Sequence, residues 1–187
     1  MLRRNVTLFS LRGIPVELNI SWVLILGLIT WTFANGYYPE NYPGLFSPSG
    51  RWLMGFFTAI LLFTSILLHE FSHSIVAVRA GLPIRRITLF MFGGVAQMER
   101  EVDDPVLEMR MAAAGPLMTL LLAIVFYGIS LVADAVPAVS VLARSLADVN
   151  LGVLVFNLVP GFPLDGGRIL RSVIWWRTGD LKRATRI

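Results

Sequence analysis

The sequence predicts a mainly α, polytopic membrane protein with about four transmembrane helices and a small membrane-associated β-strand region between the second and third. Three observations carry that expectation. Of its 187 residues, 56% are hydrophobic and 15% charged, whereas a soluble domain is nearer half apolar and a quarter charged. The apolar residues fall in blocks long enough to cross a bilayer as helices. Residues 84–98 (IRRITLFMFGGVAQM) are instead rich in β-branched and aromatic side chains and broken by Gly93-Gly94, the composition of strands joined by a turn.

The first span is expected over residues 18–34, whose centre from Ile20 to Phe33 carries no charge. The next sixteen residues, rich in Pro, Gly and Tyr, read as a loop with tyrosines anchored at the membrane interface. The second span runs over 52–80 and is stopped by Gly81 and Pro83. The third, over 111–133, contains Ala112-Ala113-Ala114-Gly115-Pro116, small side chains that let a neighbouring helix come close. Pro116 is expected to kink this helix or to mark its first turn. The fourth, over 141–159, ends in Pro160-Gly161-Phe162-Pro163 and continues as a broken segment, 160–177, with a short helix after Asp165. The whole chain, 1–187, reads as one transmembrane core without a soluble regulatory domain.

Charge orients this core. With four spans, fourteen of the 16 Lys and Arg residues fall on one side, and only Arg51 and Arg144 on the other. Positive residues favour the cytoplasmic face, so both termini and the strand region are expected in the cytoplasm. The net charge of +4 does not imply nucleic acid, because the basic residues flank apolar segments and form no aromatic-interleaved face. No cleavage site closes the first apolar run, so a removable signal peptide is not expected. The absence of cysteine excludes disulfides and thiolate ligands, which leaves His, Asp and Glu to build any metal site.

The chain's two histidines, His69 and His73, lie four residues apart around Glu70, inside the second span. On a helix that spacing puts both imidazoles on one face, within reach of one zinc ion, with the glutamate placed as a base. Histidines bonded within the core are the bland alternative. Three ionisable residues in an apolar span are costly, however, and usually functional. Arg79, near the cytoplasmic end of that span, lies ten residues from His69, or about 15 Å of helix, so the site is buried but nearer the cytoplasm. Zinc needs a third protein ligand and an open position. Asp165, close before Arg168 and Arg171, comes to the same depth and face. It reads equally as the N-cap of the helix that follows. The backbone break before it favours a site, since irregular backbone at membrane depth must be lined by protein or water. Asp134 falls near the opposite face, and Glu99, Glu101, Asp103 and Asp104 read as solvated. Glu108 and Arg110 read as a solvated pair, and Gly128 and Asn150 as packing or local hydrogen bonding.

The HEFSH run, the Ala114-Gly115-Pro116 step and NLVPGFPLDGGR from Asn157 to Arg168 together resemble the site-2 protease family of intramembrane zinc metalloproteases. The resemblance covers most of the chain, and the two longer motifs together are far more specific than either alone. It implies one zinc ion held by His69, His73 and Asp165, Glu70 as general base, and Asn157 beside the substrate. The substrate it implies is another membrane protein, most simply a single-pass one, cut within or near its membrane segment. The region around residues 92–98 either offers an edge for strand addition, with Gly93, Gly94 and Val95 as candidate contacts, or plugs the bundle. Family members often carry a further pair of spans, a PDZ module or a nucleotide-sensing domain; the chain looks like a catalytic core cut short at its C-terminus. A nucleotide partner is expected only if such a domain follows, and the expected location is a prokaryotic plasma membrane. Two other readings use the same residues: a membrane metal transporter, which needs no Glu70 and a polar path through several spans, and an inactive relative that binds membrane segments.

Overall fold

The computed structural model describes residues 5–11, 13–90, 93–98, 100 and 102–185. Two strands that the sequence reading did not anticipate precede the first helix: β1 (Asn5–Leu11) and β2 (Ile14–Asn19). Gly13, at φ 83°, makes the tight turn between them in a conformation that side chains disfavour. They join the anticipated pair, β3 (Ile84–Phe90) and β4 (Gly93–Met98), in a sheet of order β1-β2-β3-β4. The hairpins are antiparallel, while β2 and β3 run parallel with Val16 beside Ile87. A register shift between Ile84 and Arg86 lets Ile84 and Ile87 share a face, against the usual alternation. That face packs with Ile14, Val16, Ala77 and Met111. Glu17 accepts hydrogen bonds from Asn5 (3.0 Å) and Arg86 (3.2 Å). Arg3, Arg4, Arg12, Arg186, Phe92, Glu99 and Glu101 lie outside the described residues.

The expected first span begins late, because residues 18 and 19 belong to β2. It consists of α1 (Ser21–Thr32), a π-helical turn (Phe33–Tyr37) and α2 (Tyr38–Asn41). The α-helical part alone, 12 residues or about 18 Å, is shorter than a bilayer's hydrocarbon core of about 30 Å. The tyrosine-rich stretch is helical through Asn41 before the turns of residues 42–47, and Tyr38 is fully buried, its hydroxyl 2.6 Å from that of Thr58. Phe33, Tyr37, Tyr42 and Phe46 stack around it. These rings pack with Met54 and Val141 in one apolar cluster, which removes their large apolar surface from solvent.

Among the described residues, three helices are long and apolar enough to cross a membrane: α3 (Pro48–Arg79), α4 (Pro105–Val132) and α5 (Pro137–Asn157). Ser47 caps α3, accepting from the Gly50 amide, and Gly81 at φ 81° follows its end. Asp104 caps α4 through the Val106 amide, and α4 continues through Pro116. Gly55 brings α3 against α1, where a Cβ would sit 2.6 Å from the Thr30 carbonyl oxygen. Gly128 faces open space and packs against nothing, whereas Asn150 is buried and bonds the Leu146 carbonyl. Large apolar side chains such as Leu24, Leu121, Ile124, Val132 and Val155 point outward, which water would penalise and lipid accepts. After the break, α6 (Asp165–Thr178) packs against α4, and α7 (Leu181–Thr185) closes the described chain.

Candidate metal centre

The helical spacing of His69 and His73 sets their rings side by side on the inner face of α3, their Nε2 atoms 3.1 Å apart. Asp165, at the first position of α6, meets them: its Oδ2 lies 3.1 Å from the Nε2 of His69 and 3.3 Å from that of His73. All three residues are buried. The N-cap of α6 is Leu164, and no side chain caps that helix, so Asp165 faces the histidines rather than its own amides. Gly166 and Gly167 allow this, because a Cβ on either would lie within 2.5 Å of a carbonyl oxygen in the 158–161 turn.

Hydrogen bonds at the far side of each ring decide what the near side offers. The Met111 carbonyl can only accept, so the His73 Nδ1, 2.6 Å away, carries its proton. The Thr119 hydroxyl donates to the Gly115 carbonyl and therefore accepts from the His69 Nδ1, at 2.8 Å. Both Nε2 atoms are left with lone pairs aimed at a carboxylate oxygen that has no hydrogen-bond partner among the described residues. Three converging acceptors repel one another unless a cation lies between them. Gly115 supplies the room, since a Cβ there would stand 2.3 Å from the His73 Nε2 and 2.6 Å from the His69 Nε2. The donor set, its orientation and the space fit a zinc ion with two nitrogens and one oxygen.

Met111, Gly115 and Thr119 recur every fourth residue along one stripe of α4, a helix that contributes no ligand. Sequence reading took the small-residue step as helix packing and passed over Thr119, although the four-residue recurrence was visible. Thr119→Val removes the acceptor that orients His69 while keeping the side chain's shape. It is expected to weaken zinc binding by about 10–100-fold, the usual effect of losing such a support, measurable by competition with a chelator.

Glu70 lies beside the histidines and lines the same cavity of about 730 Å³, with Gly94, Asn157, Asp165 and Arg168. Asn157 ends α5 and bonds the Val153 carbonyl through its own amide nitrogen. Gly93 and Val95 belong to β4, the strand at the end of the sheet order beside α3; the Val95 side chain is not among those described. Glu108 corrects its sequence reading. It is not solvated but 2% exposed, paired with Arg171 and 4.0 Å from Arg168. Its partners come from α6, 60 and 63 positions away, so no local pattern revealed them.

The model of peptidase family M50 matches residues 57–146 and 133–186. The chain belongs to peptidase family M50. Among its M50 relatives, the Synechocystis protein named "Putative zinc metalloprotease sll0528" is 40% identical over 182 residues, covering 96% of this chain and 46% of that protein. "Zinc metalloprotease MJ0392" of Methanocaldococcus jannaschii is 36% identical over 178 residues, covering 95% of this chain and 48% of that protein. The solved site-2 protease from Methanocaldococcus jannaschii superposes with a TM-score of 0.66 at 35% identity, covering 98% of this chain and 77% of that one. The M50 chain thus spans about half the length of the curated relatives it matches. Family membership and the apolar helices make it a membrane protein of the site-2 protease family.

Proposed function

We propose that this chain is the catalytic core of an intramembrane zinc endopeptidase, which hydrolyses a peptide bond within or near the transmembrane segment of another membrane protein. The observation that carries this reading is the convergence of His69, His73 and Asp165 beside Glu70, in a cavity lined by apolar helices and by β3 and β4. One zinc ion is the expected complement, because the three donors surround a single point.

When bound, the ion supplies Lewis acidity toward water and the peptide carbonyl. The protein's own groups do the rest. His69, His73 and Asp165 fix the ion's position, and Glu70 takes the proton of the attacking water and hands it to the leaving amine. Asn157, at the mouth of the broken fourth span, holds the substrate backbone. A helical segment must first unwind to expose its carbonyls, and β4 receives the extended stretch by strand addition at Gly93, Gly94 and Val95.

Four crossings are supported by the sheet. Strands β2 and β3 are hydrogen-bonded neighbours, so the chain between them leaves and returns to one side and crosses an even number of times. With α3 as one crossing, the helical run 21–41, about 31 Å long, is the other; α4 and α5 complete the set. The excess of Lys and Arg on one side supports cytoplasmic termini; the membrane of this reading is a prokaryotic plasma membrane, and a single-pass protein is the simplest substrate. The test is incubation of the purified, zinc-loaded protein with a library of reconstituted membrane segments, with products read by mass spectrometry. Cleavage inside the apolar segments, abolished by a chelator, is expected; a zinc-loaded protein that cuts none overturns the proposal.

A further inference from the structure

We propose that Arg168, held in place by the buried Glu108, is a positioning residue that determines which oxygen of Asp165 is presented to the metal. The proposal rests on the metal-centre reading above. The two oxygens of Asp165 face different partners. Oδ2 points at both histidine nitrogens, while Oδ1 lies 4.0 Å from the Arg168 guanidinium, one helical turn along α6. A carboxylate divided in this way offers one oxygen to the ion and keeps the other against a positive charge. Free rotation would let it chelate through both, or swing away.

Arg168 needs its own anchor, because it lines the open cavity and a long side chain there has many rotamers. Glu108 provides it. Its Oε1 is 4.0 Å from the Arg168 Nε and also pairs with Arg171. A carboxylate as buried as Glu108 is tolerated only with such partners, and its place in the first turn of α4 adds the favourable end of the helix dipole. The result is an alternating row, Asp165–Arg168–Glu108–Arg171, that fastens α6 to α4 and ends on the ligand. Glu70 and Arg168 line the same cavity.

The experiment uses the purified full chain and its Arg168→Gln, Arg168→Lys and Glu108→Gln variants. Zinc affinity is read by chelator competition, ligand geometry by the visible spectrum of the cobalt(II)-substituted protein, and folding by thermal unfolding of the metal-free form. Arg168→Gln is expected to bind zinc about 10–100-fold more weakly, with an altered cobalt spectrum and an unchanged metal-free transition. Arg168→Lys, which keeps the charge, is expected to recover most of the affinity, and Glu108→Gln to fall between the two. Wild-type zinc affinity and spectrum in Arg168→Gln overturn the proposal. So does a loss that Lys does not rescue and that a lowered metal-free transition accompanies. If Glu108→Gln fails to fold, the two Arg168 variants decide alone. Failure of the metal-centre reading looks different, since the unaltered chain, or His69→Ala, then shows no zinc binding to lose or no change in it.

Discussion

Gly115→Ala is expected to destroy zinc binding although it adds a single methyl group to a helix. At most helical positions the change favours the helix. Here the new Cβ stands 2.3 Å and 2.6 Å from the two Nε2 atoms, the region an ion must occupy at about 2.0–2.1 Å from each nitrogen. The rings cannot simply tilt away, because Thr119 and the Met111 carbonyl hold them from behind. Either those bonds break or α3 separates from α4, and in both cases the ligands lose their common focus. Affinity is expected to fall at least about 100-fold, which is about 2.8 kcal/mol. Gly128→Ala on the same helix meets nothing and serves as the matched control. Undiminished zinc affinity in Gly115→Ala would remove α4 from the site.

Glu70→Gln is the second large effect, and its character is the opposite. Glutamine fills the same space in the cavity wall but cannot accept a proton at that position. Cleavage is expected to drop by about 10²–10⁴-fold, the range for losing a general base, while zinc content stays the same. The paired measurement separates the roles: Gly115→Ala empties the centre, whereas Glu70→Gln leaves it loaded and idle. Cleavage that survives the substitution would show that another group moves the proton.

Much of the site was legible because its parts obey local rules. Two histidines at helical spacing announce a shared face, and a proline-rich break followed by Asp-Gly-Gly announces a ligand delivered at the start of a helix. What was illegible depends on distance along the chain. Glu108 looks like any solvated acid until α6 is laid against it, and Thr119 looks like filler until His69 turns its Nδ1 toward it. The sheet was half seen for a related reason. Ile84 to Met98 carries a strong β composition, but the alternation in β1 is broken by the register shift between Thr7 and Phe9, and β2 runs into α1 with only residue 20 between them. The tyrosine-rich stretch misled because composition does not distinguish an interfacial ring from one packed inside.

The position of Asp165 also concerns the topology of the chain as a polymer. His69 and Asp165 lie about a hundred residues apart in a sequence without cysteine. An ion shared between them ties together two distant parts of the chain, the part played in secreted proteins by a disulfide, but because only the folded arrangement holds it, it stabilises by mass action, by an amount that grows with zinc concentration. Seating of α6 and readiness for chemistry therefore depend on the same occupancy.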